Sequence, residues 1–248
     1  MPPEPETLSR LPPSFNEQHH ALSGLDTPDF LEAILSGESP FGPLGTVSSF
    51  GTDSSVLLHL IATIAPATPV LFLDTGFHFE ETLAHLHSLV QRLGLESVRT
   101  FRVDPLSEKR ADASRALHRT QPDDCCHLRK VQVLDRALRP FSGWISGQKR
   151  FQTQERAAVD RLEWDAERGK WKFNPLADWS NADLLRYRAK YQLPEHPLAV
   201  LGYRSVGCKP CTTPVATGED ARAGRWREHQ KLECGLHGQS DLIAASGA

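Results

Sequence analysis

The sequence predicts an α/β fold built on a doubly wound, mostly parallel sheet. Three observations carry this. Residues 69–74 (PVLFLD) form an uninterrupted apolar run, as a parallel strand covered on both faces requires. Helical periodicity flanks it: Val56, Leu57, Leu60, Ile61 and Ile64 recur at helical spacing before it, and a second helix is expected over about 80–93. Residues 45–50 and 98–103 supply two more strands, so the order reads βαβαβ, with right-handed crossovers.

The remaining elements follow in chain order. Residues 1–20, rich in Pro, Glu and Ser, read as a flexible tail. Thr27-Pro28-Asp29 signals the first helix: Thr27 caps it, Pro28 suits the first turn, Asp29 meets the positive end of the helix dipole, and Gly37 stops it. Gly94 terminates the helix that begins near Glu80. Asp123 and Asp124 open a later helix with the buried stripe Leu128, Val131, Leu134 and Leu138, ended by Pro140. Trp144-Ile145-Ser146 reads as a fourth strand. Residues 151–172 are charged and aperiodic, which predicts a long surface loop or lid. Ser180 and Asp183 form a capping box for a helix reaching about Tyr191. Beyond Gly202 only a short helix near Trp226 is expected.

Composition narrows the function classes. A chain of 248 residues with 39% hydrophobic content can bury its core without disulfides. The net charge of -3 argues against nucleic-acid binding by bulk electrostatics. The longest apolar stretch, 56–73, is interrupted by His59, Pro66 and Pro69, so no membrane span is expected. The proline-rich N-terminus has no apolar signal core, and a cytoplasmic location is the default. Thiols stay reduced there, so clustered cysteines point to metal or catalysis.

Two loops follow strands. Ser49-Phe50-Gly51-Thr52-Asp53-Ser54 offers small residues and hydroxyls at a helix start, where backbone N–H groups can cradle an anion. It lacks the Gly-Lys-Ser/Thr ending of a Walker A loop, and a plain turn with Asp53 as helix cap is the competing reading. Asp74-Thr75-Gly76 follows the next strand, at the end where ligand crevices form.

The five cysteines divide four to one. Cys125 and Cys126 lie near a helix start, and Cys208 and Cys211 flank a turn. Adjacent helical residues point about 100° apart, so both can reach a compact multi-iron cubane more easily than one zinc. Together the four read as a [4Fe-4S] site, with a structural zinc on the same ligands as the alternative. Arg129 and Lys130 follow the pair at i+4. Cys234 is left over, preceded by Arg222, Arg225, Arg227 and Lys231, cations that favour a thiolate nucleophile; a spare tail cysteine is the other reading.

These pieces have a family order. SSFGTDSS (48–55), LDTG (73–76), CCHLRKV (125–131), SGQKR (146–150), GYRSVGCKPCT (202–212), RAGRW (222–226) and ECGLH (233–237) resemble the assimilatory adenylylsulfate (APS) reductases of the phosphosulfate reductase family. The chain departs from that pattern at Val133-Leu134 and at residues 151–155 (FQTQE).

The resemblance implies an adenine nucleotide alpha-hydrolase-like fold. It implies a nucleotide-binding reductase domain over 21–215 and a mobile C-terminal segment, 216–248, carrying the catalytic cysteine. Ser49, Gly51, Asp53, Ser54, Asp74, Thr75, Gly76 and Gly147 would hold the nucleotide. Lys130, Arg222 and Arg225 would contact the phosphosulfate, with Arg129 and Arg150 as weaker candidates. Cys234 would attack sulfur, with His237 either assisting at the thiol or anchoring the tail, and thioredoxin or glutaredoxin would release sulfite. The cofactor implied is a [4Fe-4S] cluster on Cys125, Cys126, Cys208 and Cys211. A 3′-phospho-APS reductase and an ATP-pyrophosphatase that thiolates tRNA are the rival activities, and a non-catalytic metal sensor is a third. A homo-oligomer is left open.

Overall fold

The computed structural model describes residues 11–229, 231 and 233–237. Its centre is a six-stranded sheet: β1 (Leu44–Val47), β2 (Val70–Asp74), β3 (Val98–Arg102), β4 (Gly143–Ile145), β5 (Leu162–Asp165) and β6 (Lys170–Phe173). The spatial order is β3-β2-β1-β4-β6-β5. All pairings are parallel except the β5–β6 hairpin. The chain runs outward from β1 to β2 and β3, then returns to place β4 on the other side of β1. That reversal leaves a crevice at the carboxyl ends of β1 and β4.

The helices are α1 (Phe15–Ser23), α2 (Thr27–Leu35), α3 (Ser54–Ile64), α4 (Glu80–Leu93), α5 (Pro105–Ala111), α6 (Leu117–Thr120), α7 (Pro122–Cys126), α8 (Gln132–Ala137) and α9 (Asn181–Lys190). They cover both faces, and β2 shows why its sequence is apolar throughout. Val70 and Phe72 pack with Leu58 of α3 and with Leu86 and Leu89 of α4. Leu71 and Leu73 face the other way, onto Val133, Leu134 and Ala137 of α8. Period-two alternation thus buries every residue of the strand. A third cluster joins α2, α3 and α9 beside β4 and β6, around Phe30, Ile61, Ile145 and Phe173.

Most expected elements form. The helix expected over about 80–93 is α4, closed by Gly94 at φ +64°. The Ser180 capping box is present in both directions: Asp183 N–H donates to Ser180 Oγ (3.2 Å), and Ser180 N–H donates to the Asp183 carboxylate (2.8 Å).

Five expectations need correction. The tail expected over 1–20 contains α1, which brings Phe15 onto the core and onto the Trp171 ring (6.0 Å); residues 1–10 lie outside the described residues. The cap of α2 is Asp26, not Thr27: its carboxylate accepts from Asp29 N–H at 2.9 Å, while Thr27 is buried and donates to Pro175 O. The helix after Cys126 is interrupted by a π-turn, His127–Val131. The loop expected over 151–172 contains the hairpin β5–β6. Its turn closes where Arg168 N–H donates to Asp165 O and Gly169 adopts φ +61°. Trp164 meets Trp171 edge to face, and Lys172 pairs with Glu163 at 2.8 Å. Charged positions on a four-residue strand hid its alternation. No helix forms near Trp226 among the described residues; Trp226 takes φ +48°, and its N–H donates to Cys211 O (3.0 Å).

Candidate active site

A cavity of about 220 Å³ opens at the ends of β1, β2 and β4. Ser49, Gly51, Asp53 and Ser54 line it from the loop after β1, Thr75 from the loop after β2, and Gly147 from the loop after β4. The first loop is held by an unusual backbone. Phe50 is fully buried at φ +50°, a conformation costly for a residue with a Cβ. Its N–H donates to Ser48 Oγ (3.1 Å), and its ring meets Phe72 edge to face. Burying that ring leaves the flanking Ser49 and Gly51 at the cavity wall.

Asp53 does not cap α3. Its carboxylate instead pairs with Lys149 Nζ at 3.1 Å. Burial pushes the Lys149 ammonium below its ordinary pKa, and the Asp53 charge opposes that fall. Leaving such a buried charge unpaired costs about 3–5 kcal/mol, so Lys149 and Asp53 fix each other across the cavity floor.

Asp74 and Gly76 do not line the cavity, contrary to the sequence expectation. Asp74 is buried and accepts from Gly76 N–H (2.9 Å) and from Arg102 (2.6 and 2.8 Å). Burial alone would raise its pKa, but those donors hold the carboxyl below its ordinary range. Gly76 turns at φ +71°, and its carbonyl accepts from Arg115. Both residues shape the turn that presents Thr75.

Five cations border the cavity: Lys130, Lys149, Arg156, Arg222 and Arg225. Burial lowers Arg222 to about 10; Arg156 adds to the fall and Glu233 opposes it. Arg225 lies flat against Gly207, where an added Cβ would sit 2.2 Å from its guanidinium. The Trp226 ring carries Arg225 at 4.4 Å and Lys130 at 5.6 Å.

Residues 233–237 border this cavity. Glu233, Cys234, Leu236 and His237 all line it. Gly235 turns at φ +77°, a conformation that suits glycine. Leu236 packs on the α8-side core. His237 stacks on Trp144 with ring centroids 5.4 Å apart. Burial, with Lys172 and the nearby arginines, depresses its pKa well below 6.5, so its imidazole is neutral. A neutral ring stacked in this way anchors the segment.

A second, smaller cleft adjoins the first. Cys125, Cys126, Cys208 and Cys211 all line it, with Thr75 and Lys130. Thr75 Oγ1 lies 3.3 Å from Cys208 Sγ, and Lys130 Nζ donates to Cys126 Sγ at 3.7 Å. Lys209 N–H donates to Phe77 O (2.7 Å), which seats the Cys208–Cys211 turn against the loop after β2. Burial, with the neighbouring thiols, pushes Cys125 up to about 12 and Cys211 up to about 11. Such thiols stay protonated unless a metal takes the proton's place. Burial alone would lower Lys130, but charge on Cys208, Cys234 and Cys126 raises it instead. Four thiols with a cation beside them are the donor chemistry of a soft metal centre. As they stand, no three His, Cys, Asp or Glu among the described residues converge on a point where one ion would sit.

The weaker sequence candidates serve structure. Arg129 is buried between Glu108 (2.7 Å) and Asp112 (2.8 Å) and donates to Thr75 O. Arg150 pairs with Asp178 and donates to Val159 O. Arg227 pairs with Glu219. His127, next to the cysteine pair, is exposed. Sequence reasoning missed Lys149, Arg156 and Glu233 as cavity residues. Lys149 sits inside the quoted SGQKR stretch, between the expected site residue Gly147 and the weaker candidate Arg150. Arg156 lies in a segment with no periodic signal.

A family model described as the phosphoadenosine phosphosulfate reductase domain matches residues 44–214. The adenosine 5′-phosphosulfate reductase of Mesorhizobium japonicum is 47% identical over 78% of this chain and 76% of its own. The phosphoadenosine 5′-phosphosulfate reductase of Gloeobacter violaceus is 43% identical over 77% and 80%. A phosphoadenylyl-sulfate reductase from Candida auris shares the fold, with TM-score 0.69 at 22% identity over 82% of this chain and 98% of that one. Yeast FAD synthetase shares it more distantly, with TM-score 0.52 at 16% identity over 83% and 70%. The fold is therefore of the adenine nucleotide alpha-hydrolase-like class, and the chain belongs to the phosphoadenosine phosphosulfate reductase family of oxidoreductases.

Proposed function

We propose that this enzyme reduces adenosine 5′-phosphosulfate to sulfite and AMP, with Cys234 as nucleophile, in assimilatory sulfate reduction. The observation that carries the reading is the meeting of Cys234 with the Ser49–Ser54 loop and five cations around one cavity. The nucleotide would lie against that loop with its anionic end toward Lys130, Arg222 and Arg225.

The sulfuryl group is shielded by anionic oxygens, so cations must offset their charge before a thiolate approaches. Cys234 Sγ then attacks the sulfate sulfur. The bond to the phosphate oxygen breaks, its electron pair leaves with AMP, and an S-sulfocysteine remains. Lys130 and the arginines meet the charge growing on the departing phosphate; donors aimed in this way are each worth about 10²–10³ in rate. A dithiol reductant of the thioredoxin or glutaredoxin type next attacks Cys234 Sγ. Sulfite leaves with the S–S bonding pair, and the second thiol of the reductant resolves the mixed disulfide.

Cys125, Cys126, Cys208 and Cys211 would hold a [4Fe-4S] cluster. When bound, it supplies fixed geometry and local charge beside Lys130; the two reductant thiols already supply both electrons. The protein itself contributes the half-buried Lys130 contact to Cys126 and the buried Thr75 contact to Cys208.

Cys234→Ser should abolish sulfite production while AMP still binds. Wild-type enzyme incubated with APS alone should carry a sulfonate on Cys234 by mass spectrometry; an unmodified Cys234 would sink the mechanism. The 43% identical relative named for the 3′-phosphorylated nucleotide keeps a second substrate in view. Steady-state rates on both nucleotides decide between them.

A further inference from the structure

Glu233 immediately precedes Cys234, and its contacts are specific. Arg156 Nε donates to Glu233 Oε1 at 2.6 Å and Arg156 Nη2 donates to Oε2 at 2.8 Å, a fork-on-fork pair. Arg222 Nη2 donates to the same Oε2 at 3.1 Å. Gln152 Oε1 accepts from Arg156 Nη1 (2.6 Å) and from Lys149 N–H (3.2 Å), which fixes the guanidinium plane from behind. Arg156 is buried and Glu233 is partly buried, so solvent screens this pair only weakly. Burial would raise the Glu233 carboxyl, yet Arg156 and Arg222 hold it below the usual range.

We propose that Glu233 is the positioning residue for Cys234, and that its carboxylate occupies the arginine pair as an internal anion. This rests on the reading of Cys234 as the nucleophile. On one side of the sulfur, the ionic grip fixes residue 233. On the other, Leu236 and His237 are seated in the core and on Trp144. Between them Gly235 makes the turn. Cys234 is therefore strung between an ionic tether and an apolar one; both border the cavity, and only the ionic tether holds the arginines that an anionic ligand would compete for.

The two roles give a split that loss of folding would not. In Glu233→Gln the arginines lose their internal counter-charge, so an anionic ligand should bind more tightly while the nucleophile is presented less well. The experiment compares wild type, Glu233→Gln and Glu233→Asp in full-length protein. It measures AMP affinity by calorimetry, alkylation of Cys234 by iodoacetamide with mass-spectrometric readout, and turnover of APS. Glu233→Gln should tighten AMP by ~3–10-fold, speed alkylation of Cys234 by ~5-fold or more, and cut kcat by ~10–100-fold without raising KM. Glu233→Asp, which keeps the charge on a shorter arm, should recover part of kcat and restore the AMP affinity of wild type. Unchanged alkylation together with unchanged AMP affinity in Glu233→Gln would overturn the proposal. Weaker AMP binding with a lowered Tm would also overturn it, by making Glu233 a plain structural residue. The alkylation and AMP arms do not depend on turnover, so an absence of reductase activity in wild type would count against the proposed function alone.

Discussion

The two cavities differ in what the polypeptide completes by itself. The larger one is finished. Its buried cations have counter-charges, Lys149 with Asp53 and Arg156 with Glu233, and its loop is locked by the buried Phe50. The cysteine cleft is not. Burial pushes Cys125 up to about 12 and Cys211 up to about 11, so these two thiols hold their protons in the bare chain. A site made of paired charges can be fully formed in the bare chain. A site made of thiols depends on what arrives to replace their protons.

Four experiments break or sharpen that contrast. The largest effect is expected from Cys208→Ser. Anaerobically purified wild type should be brown with about four irons per chain; the variant should lose most of that iron and all sulfite production, yet bind AMP within ~3-fold of wild type, because the larger cavity is built from charge pairs. A colourless wild type with one zinc would remove the cluster from the proposal. Next, Lys149→Met strips the counter-charge from Asp53 inside the finished cavity. AMP affinity should fall by ~10–100-fold with metal content unchanged, checked by calorimetry and metal analysis. Equal loss of both would show that the cavities are not separable in this way.

Gly207→Ala should have a smaller effect. The new Cβ would meet Arg225 at 2.2 Å, and the far end of that side chain can swing aside. A ~5–20-fold fall in kcat with little change in AMP binding is expected, since a misplaced donor costs rate more than affinity.

The smallest effect concerns pH and the packing around α4, outside both cavities. His196 is buried between α4 and the segment leading to Cys208. It stands 3.1 Å from Thr82 Oγ1 and beside His85, with ring centroids 5.0 Å apart. Burial lowers it to about 4; the His85 charge adds to the fall and Glu81 opposes it. Its folded-state pKa is depressed, so its contribution is fully present above about 6.5 and is lost as pH falls through about 4. Wild type should therefore lose on the order of 2 kcal/mol more stability across that window than His196→Asn, measured by urea denaturation at stepped pH. Parallel curves would assign the acid loss elsewhere.

The sequence carried the parallel half of the sheet well, because buried strands and amphipathic helices write their periods plainly. β2 and α4 were legible almost to the residue. The hairpin β5–β6 was not, since its strands alternate charged residues that are buried as pairs, such as Lys172 with Glu163. In the site, the cysteine pairs and Cys234 stood out because few other roles use that spacing. Asp74 and Gly76 sat in the right loop but serve its shape, a distinction that depends on where Arg102 and Arg115 lie. Arg156 and Glu233 were invisible for the same reason: 77 residues separate them, and only folding makes them partners.

Thr75, Lys130 and Cys208 line both cavities. The partition between them is thus a single layer of side chains, and each of the three presents one surface to either compartment. An oxidant that capped Cys208 would not need to reach the nucleotide's chamber to be felt there. It would crowd the Thr75 hydroxyl and alter the charge that Lys130 answers to, so damage on the thiol side would be read out as lost turnover rather than lost nucleotide binding.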